Sequence, residues 1–312
     1  MNSRVIVFGG NANPELNAEI CRHLNIEPGK ISVGSFSDGE TRVRIDENVR
    51  GADVYVLQPT CAPGNQHLME ALVMIDACRR ASARKITLVA PYFGYARQER
   101  KDSPRAPITA KLVAQLMETA GIDRLLTLEL HNSAIQGFFQ CPVDHLFAKD
   151  VFARYFSGRL DHPVVVSPDA GGVERSRAFA KLLRSNLAII DKRRPMANES
   201  AVMHIIGEVK GKDCLILDDI VDTAGSLTNA ASALLAEGAK SVRAAITHPV
   251  LSGPAIERIR NSRLEELVVT NSIPLSHDAK NLRQIRQVSI AHLIAEAVQR
   301  IHDCTSVSSL FS

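Results

Sequence analysis

The stretch Cys214 to Ser226, CLILDDIVDTAGS, constrains the fold of this chain more than any other. Cys214 to Leu217 is a short apolar run of the kind that forms a strand buried on both faces of a parallel sheet. It stops in charge, with Asp218 and Asp219 where the strand is expected to emerge. A turn of small and polar residues, Asp222, Thr223, Ala224, Gly225 and Ser226, then leads into the Ala/Leu-rich segment Leu227 to Ala236, which reads as a helix. Strand, turn and helix in this order place backbone N–H groups and two hydroxyls at a helix N-terminus, where unpaired donors and the macrodipole favour an anion. Apolar strands alternate with helices along the whole chain, which implies two doubly wound α/β domains with largely parallel sheets and ligands at the carboxyl ends of the strands.

Length sets the number of cores: 312 residues are too many for one typical core and suit two domains. Ser157 to Pro163 is the best candidate linker, giving domains 1–160 and 161–312 with a closing helix, Ser289 to Ile301, that can fold back onto the first domain. With 37 basic and 34 acidic residues the net charge is only +3, which argues against a general nucleic-acid surface but leaves room for local anion sites. The six Cys (21, 61, 78, 141, 214 and 304) show no C-x-x-C spacing, as expected for reduced thiols in a cytoplasmic protein. No apolar run is long enough to span a bilayer, and the N-terminus enters a strand-like run without the apolar core of a signal peptide.

The residue types around Asp218 to Ser226 suit a sugar phosphate. Small residues let the backbone curl around a phosphate, Thr223 and Ser226 can donate to its oxygens, and carboxylates at a strand end can accept from vicinal hydroxyls. A nucleotide P-loop is the competing reading, but no G-x-x-x-x-G-K-[ST] occurs and this turn holds no Lys. The plainest alternative is a solvated turn capped by Asp222.

Other stretches carry weaker signals. Val5 to Phe8 and Asp53 to Leu57 read as buried strands, Asn13 to Leu24 as a capped helix, and Asn65 to Ala81 as a helix in which Met69 and Met74 fill core space. Phe36, Asp38 and Glu40 sit in a polar turn before the half-exposed strand Thr41 to Ile45. After the strand Lys85 to Ala90 comes PYFGYARQERKDSPRAP, a basic loop in which Pro104 and Pro107 discourage a helix. His131 follows the strand Arg124 to Leu130, a position where a lone His is more often a structural hydrogen-bonder than a ligand. Asp169, followed by Gly171 and Gly172 at a helix start, has a phosphate and cation geometry. Lys192, Arg193 and Arg194 close the strand Leu187 to Asp191, either as a solvent-facing cluster or as an anion site.

Taken together, DDIVDTAGS, FSDGE, YARQERK, QGFF and PDAGG resemble the ribose-phosphate pyrophosphokinase family, also called phosphoribosyl pyrophosphate synthetases, from Val5 to about Ile301. The resemblance implies domains of phosphoribosyltransferase type. It implies that Phe36 stacks the adenine of ATP, that Asp38 and Glu40 accept from its amine, and that Arg97 and Gln98 contact the nucleotide. By the same resemblance Asp222 to Ser226 hold the 5-phosphate of ribose 5-phosphate, with Asp218 and Asp219 on the sugar hydroxyls. His131 and Asp169 align with contacts to Mg²⁺, though an imidazole suits that hard cation poorly and contact through water or nucleotide is plausible. Lys192 and Arg194 match the pair that stabilises charge during diphosphoryl transfer. The Asn-Ser-Ala run after His131 departs from the common acidic or proline-containing pattern. A homohexamer, activation by phosphate and inhibition by ADP are further implications. Two alternatives are a phosphoribosyltransferase consuming the diphosphate, which would not need the FSDGE and YARQERK segments, and a catalytically silent subunit, which would be expected to lack some of these positions.

Overall fold

The computed structural model describes residues 3–193 and 202–310, and of Lys192, Arg193 and Val202 the backbone alone. In chain order the first elements are β1 (Val5–Gly9), α1 (Pro14–Leu24), the antiparallel hairpin β2 (Ile31–Ser35) and β3 (Thr41–Ile45), β4 (Asp53–Leu57) and α2 (Gly64–Arg80). They continue with β5 (Lys85–Ala90), α3 (Thr109–Ala120), β6 (Arg124–Leu128) and β7 (Val143–Leu146). The strands form a parallel five-stranded sheet in the order β1-β4-β5-β6-β7. Every residue of β4 is buried, as expected of a central parallel strand covered on both faces. Phe8, Val56, Met74, Leu88 and Met117 are fully buried, each contributing about 1.5–3 kcal/mol by leaving water. Met69 is a correction: it lies on the outer face of α2 and is 49% exposed, whereas Met74, five residues on, faces the sheet. Helical periodicity puts five residues nearly half a turn round the helix, so the two cannot share a face.

The second half comprises α4 (Lys149–Phe156), β8 (Pro163–Ser167), α5 (Val173–Leu183), β9 (Asn186–Arg193), β10 (Val202–Ile206), β11 (Asp213–Val221) and α6 (Gly225–Ala236). Then come β12 (Ser241–Pro249), α7 (Ala255–Asn261), β13 (Glu266–Thr270), the single turn α8 (His277–Lys280) and β14 (Ile285–Val288). Their sheet runs β10-β9-β8-β11-β12-β13-β14 and is parallel except for the β10–β9 pair. Chain direction across the sheet reverses between β8 and β11: β9 is added on one side of β8, and β12 on the far side of β11. That crevice is the switch point where open α/β sheets bind ligands.

The chain forms two compact units. One runs through Phe147 and takes in Ser272–Pro274 and the segment from Ser289 onward; the other is Ala148–Asn271 with Leu275–Val288. α4 belongs to the second unit, where the Tyr155 hydroxyl donates to Glu266 at 2.7 Å. The last helix, α9 (Ala291–His302), belongs to the first, burying Ile294 and Val298 and accepting from the Tyr55 hydroxyl at the Val298 carbonyl, 3.3 Å away. At its end His302 Nδ1 lies 3.1 Å from Asp53, which Arg84 also grips at 2.5 Å. Burial opposes the Asp53 charge, but Arg84, Ser3 and His302 outweigh it and hold the carboxyl below the usual range.

Candidate active site

β11 runs longer than its apolar core requires. Its ladder with β12 continues through Asp218↔Ile246 and Val221↔Pro249, so Asp218 and Asp219 lie inside the strand rather than beyond it. Backbone pairing with a long neighbour overrides the break in hydropathy. The two carboxylates sit at different depths, yet close enough together for one guanidinium nitrogen to reach both. Asp219 is only 4% exposed, whereas nearly a third of the Asp218 side chain is in contact with solvent. The Asp218 carboxylate accepts from the Asp219 N–H at 2.9 Å. Burial first, then the adjacent Asp219 charge, pushes the Asp218 carboxyl well above the usual carboxylate range, with Arg175 working against the rise.

Arg175, in the first turn of α5, donates from Nη1 to Asp219 at 2.8 Å and reaches Asp218 at 3.4 Å. Residue spacing gives no sign of this contact, because the partners lie 43 and 44 positions away. The turn before α5 is set by Asp169, whose side chain is exposed at the end of β8 and accepts from the Gly172 N–H at 3.0 Å; the Ser167 hydroxyl donates to the Asp169 carbonyl at 2.8 Å.

Past β11 the loop is held from behind. Ser252 donates its hydroxyl to Asp222, and its N–H to the Asp222 carbonyl at 3.0 Å. Arg258 on α7 donates to the Thr223 carbonyl at 3.0 Å. Ala224 takes the left-handed conformation (φ 59°) that Gly or Asn more often supplies, and no side chain caps the α6 N-terminus. Thr223 and Ser226 are exposed beside that open end, with Gly225 between the buried Ala224 and Ser226. The arrangement presents backbone donors and hydroxyls to an anion. Asp222, expected above as a possible cap, is instead bonded to Ser252.

In the first unit Phe36 is half exposed on the β2–β3 turn, with the Arg42 guanidinium 5.6 Å from its ring centre. Asp38 accepts from the Glu40 N–H at 3.1 Å, and Gly39 has φ 94°, so the turn is internally braced. Arg97 and Gln98 are exposed on the segment entering α3. Gln98 is fixed by two links to that helix: Thr109 donates to its side chain at 2.6 Å, and its carbonyl accepts from the Ala110 N–H at 3.2 Å. Gly94 anchors the same segment. Its N–H donates to the Thr60 hydroxyl at 2.6 Å, and a Cβ there would stand 2.5 Å from the Thr60 carbonyl oxygen. Gly94→Ala is therefore expected to cost about 2 kcal/mol by overpacking, read as a lowered Tm. An unchanged Tm would remove Gly94 from this role.

His131 is exposed just past β6, and its neighbour Leu130 donates its N–H to Nε2 of the buried His145 at 2.8 Å. His145 escaped the sequence reading because the contact spans two separate strand ends. Backbone pairing places Lys192 in β9 opposite Met203 of β10. Arg194 lies outside the described residues.

Fold and loops define a class: a two-unit α/β protein of phosphoribosyltransferase type, with anion-suited turns at a topological switch. The sequence matches the family description "N-terminal domain of ribose phosphate pyrophosphokinase" over residues 5–121 and "phosphoribosyl synthetase-associated domain" over residues 192–312. It is 56% identical to the ribose-phosphate pyrophosphokinase of Bordetella pertussis over 98% of this chain and 100% of that one. Against its counterpart in Oceanobacillus iheyensis the identity is 54%, covering 99% and 98%. The crystal structure of phosphoribosylpyrophosphate synthetase from Mycobacterium smegmatis superposes with a TM-score of 0.91 at 41% identity, covering 97% of this chain and 100% of that one. The chain belongs to the ribose-phosphate pyrophosphokinase family.

Proposed function

We propose that the turns after β8 and β11 hold ribose 5-phosphate, and that Phe36, Asp38, Glu40, Arg97 and Gln98 hold ATP. The protein is a ribose-phosphate diphosphokinase, which transfers the diphosphoryl group of ATP to the 1-hydroxyl of ribose 5-phosphate, giving 5-phosphoribosyl 1-diphosphate and AMP. The observation that carries the placement is the open α6 N-terminus at a topological switch, with an accessible carboxylate, Asp218, in the strand that leads to it. Thr223, Ser226 and the backbone of Ala224 and Gly225 bind the 5-phosphate, and Asp218 and Asp219 position the sugar through its hydroxyls. The 1-hydroxyl oxygen attacks the β-phosphorus and gives up its proton to solvent, and the new O–P bond forms as the bond to the AMP oxygen breaks, that oxygen keeping the electron pair. Lys192 and Arg194 stabilise charge on the transferred group, and positioning supplies much of the remaining rate.

Among the described residues no three acidic, His or Cys side chains gather as a cage for a metal ion. An exposed strand-end carboxylate, Asp169, fits Mg²⁺ nonetheless, because that ion keeps several waters and binds through one or two carboxylates plus substrate phosphates. Asp169 would hold it directly and His131 through water or nucleotide, and the ion when bound neutralises phosphate charge. No helix among the described residues is long and apolar enough to cross a membrane. Cytoplasmic residence, a homohexamer, and phosphate and ADP as effectors complete this reading by family resemblance.

The test is AMP release from ATP, Mg²⁺ and ribose 5-phosphate, with and without inorganic phosphate. AMP formed in step with a ribose diphosphate is expected. Folded protein that binds ribose phosphates yet forms no AMP at any phosphate concentration would mean a phosphoribosyltransferase or a silent subunit instead.

A further inference from the structure

We infer that Arg175 is the positioning residue of the ribose subsite, tying the turn after β8 to the acidic pair of β11 and holding that pair as acceptors for the sugar's vicinal hydroxyls. The inference rests on the ribose 5-phosphate placement proposed above and adds a residue that the sequence did not single out.

Two carboxylates on adjacent residues oppose each other's ionisation, and burial opposes both. A ribose hydroxyl donates best to an ionised carboxylate held in one orientation, so a subsite built on Asp218 and Asp219 needs a cation fixed close by. Arg175 meets that need from another element: Nη1 lies 2.8 Å from Asp219 and 3.4 Å from Asp218, and four-fifths of its side chain is buried. Asp219, at 4% exposure, is the inner anchor of the guanidinium, and the more accessible Asp218 is the carboxylate it steadies. The guanidinium comes from the helix that begins just past Asp169, so one side chain couples the two turns flanking the switch point. Lys at this position keeps the charge but lacks the rigid, planar guanidinium that fixes one nitrogen between the two carboxylates. The 5-phosphate loop is held separately, by Ser252 and Arg258, and does not depend on Arg175.

Calorimetric titration of the full chain with ribose 5-phosphate and with 2-deoxyribose 5-phosphate separates this role from a merely structural one. For Arg175→Met the expected result is ribose 5-phosphate binding weakened about tenfold, with a much smaller loss for the deoxy sugar, because one hydroxyl contact is already absent. Arg175→Lys should recover part of the difference, and it carries the same comparison if the Met variant does not fold. Asp219→Asn combined with Arg175→Met should lose far less than the product of the two single losses, since the residues act through one contact. Equal weakening of both sugars, or losses that multiply, would overturn the inference while leaving the ribose placement standing. A wild-type protein that binds neither sugar overturns the placement and this inference with it.

Discussion

Lys192→Ala is expected to lower kcat about 10²–10³-fold, equivalent to roughly 2.7–4 kcal/mol of transition-state stabilisation, and to leave KM for ribose 5-phosphate nearly unchanged. Charge on the diphosphoryl group builds while the O–P bonds exchange, and a fixed cation from the protein would ease it alongside the metal ion and positioning. The backbone places Lys192 beyond the buried centre of β9, where that strand pairs with β10 and no longer with β8. The register with β8 ends at Ser167↔Ile189, so the last residues of β9 project past the end of β8, the strand that leads to Asp169. Steady-state kinetics with both substrates varied will decide it. A rise in KM with kcat intact would place Lys192 in substrate binding and remove it from the transition-state role.

The second large effect has opposite signs in two measurements. Asp218→Asn should weaken ribose 5-phosphate binding by about two orders of magnitude, because an amide is a poorer acceptor than a carboxylate and its NH₂ faces the hydroxyl in half its orientations. The same change should raise stability at pH 8 by on the order of 1 kcal/mol, after allowance for the solvent that reaches Asp218. The sign follows from the raised pKa of this group. Its folded value lies above the unfolded one, so the native state is disfavoured increasingly as pH climbs from the ordinary carboxylate range through the folded pKa. Below that range the group is protonated in both states and contributes no difference. The gap in Tm between variant and wild type should therefore be widest near pH 8 and close toward pH 4. A gap that widens on acidification, or a variant less stable than wild type at pH 8, contradicts the burial of Asp218 and its repulsion by Asp219 as the causes of the raised pKa. A gain in stability at the expense of binding is the pattern expected where a functional site holds like charges together.

How much was legible beforehand differs from element to element. Strands β1, β4 and β5 are legible because each is an apolar run bounded by polar turns, and the two glycines after Asp169 mark the start of α5. α1 announced itself through Asn13 and Pro14, and Asn13 does accept from the Leu16 N–H at 3.1 Å. β2, β7, β10 and β14 were not foreseen. They are short, lie at sheet edges or in a hairpin, and owe their conformation to a neighbour's backbone rather than to their own hydropathy.

The chain by itself determined the alternation of buried strands and helices, the phosphate-suited turn after β11 and the family, since all three depend on local patterns of residue type. Tertiary structure alone decided that β11 runs on through its acidic pair, that Asp219 is buried while Asp218 is accessible, and that Arg175, Ser252 and Arg258 brace the site. Those contacts join residues 30 to 44 positions apart, and such partners are chosen by the order of strands in the sheet, which no local pattern encodes.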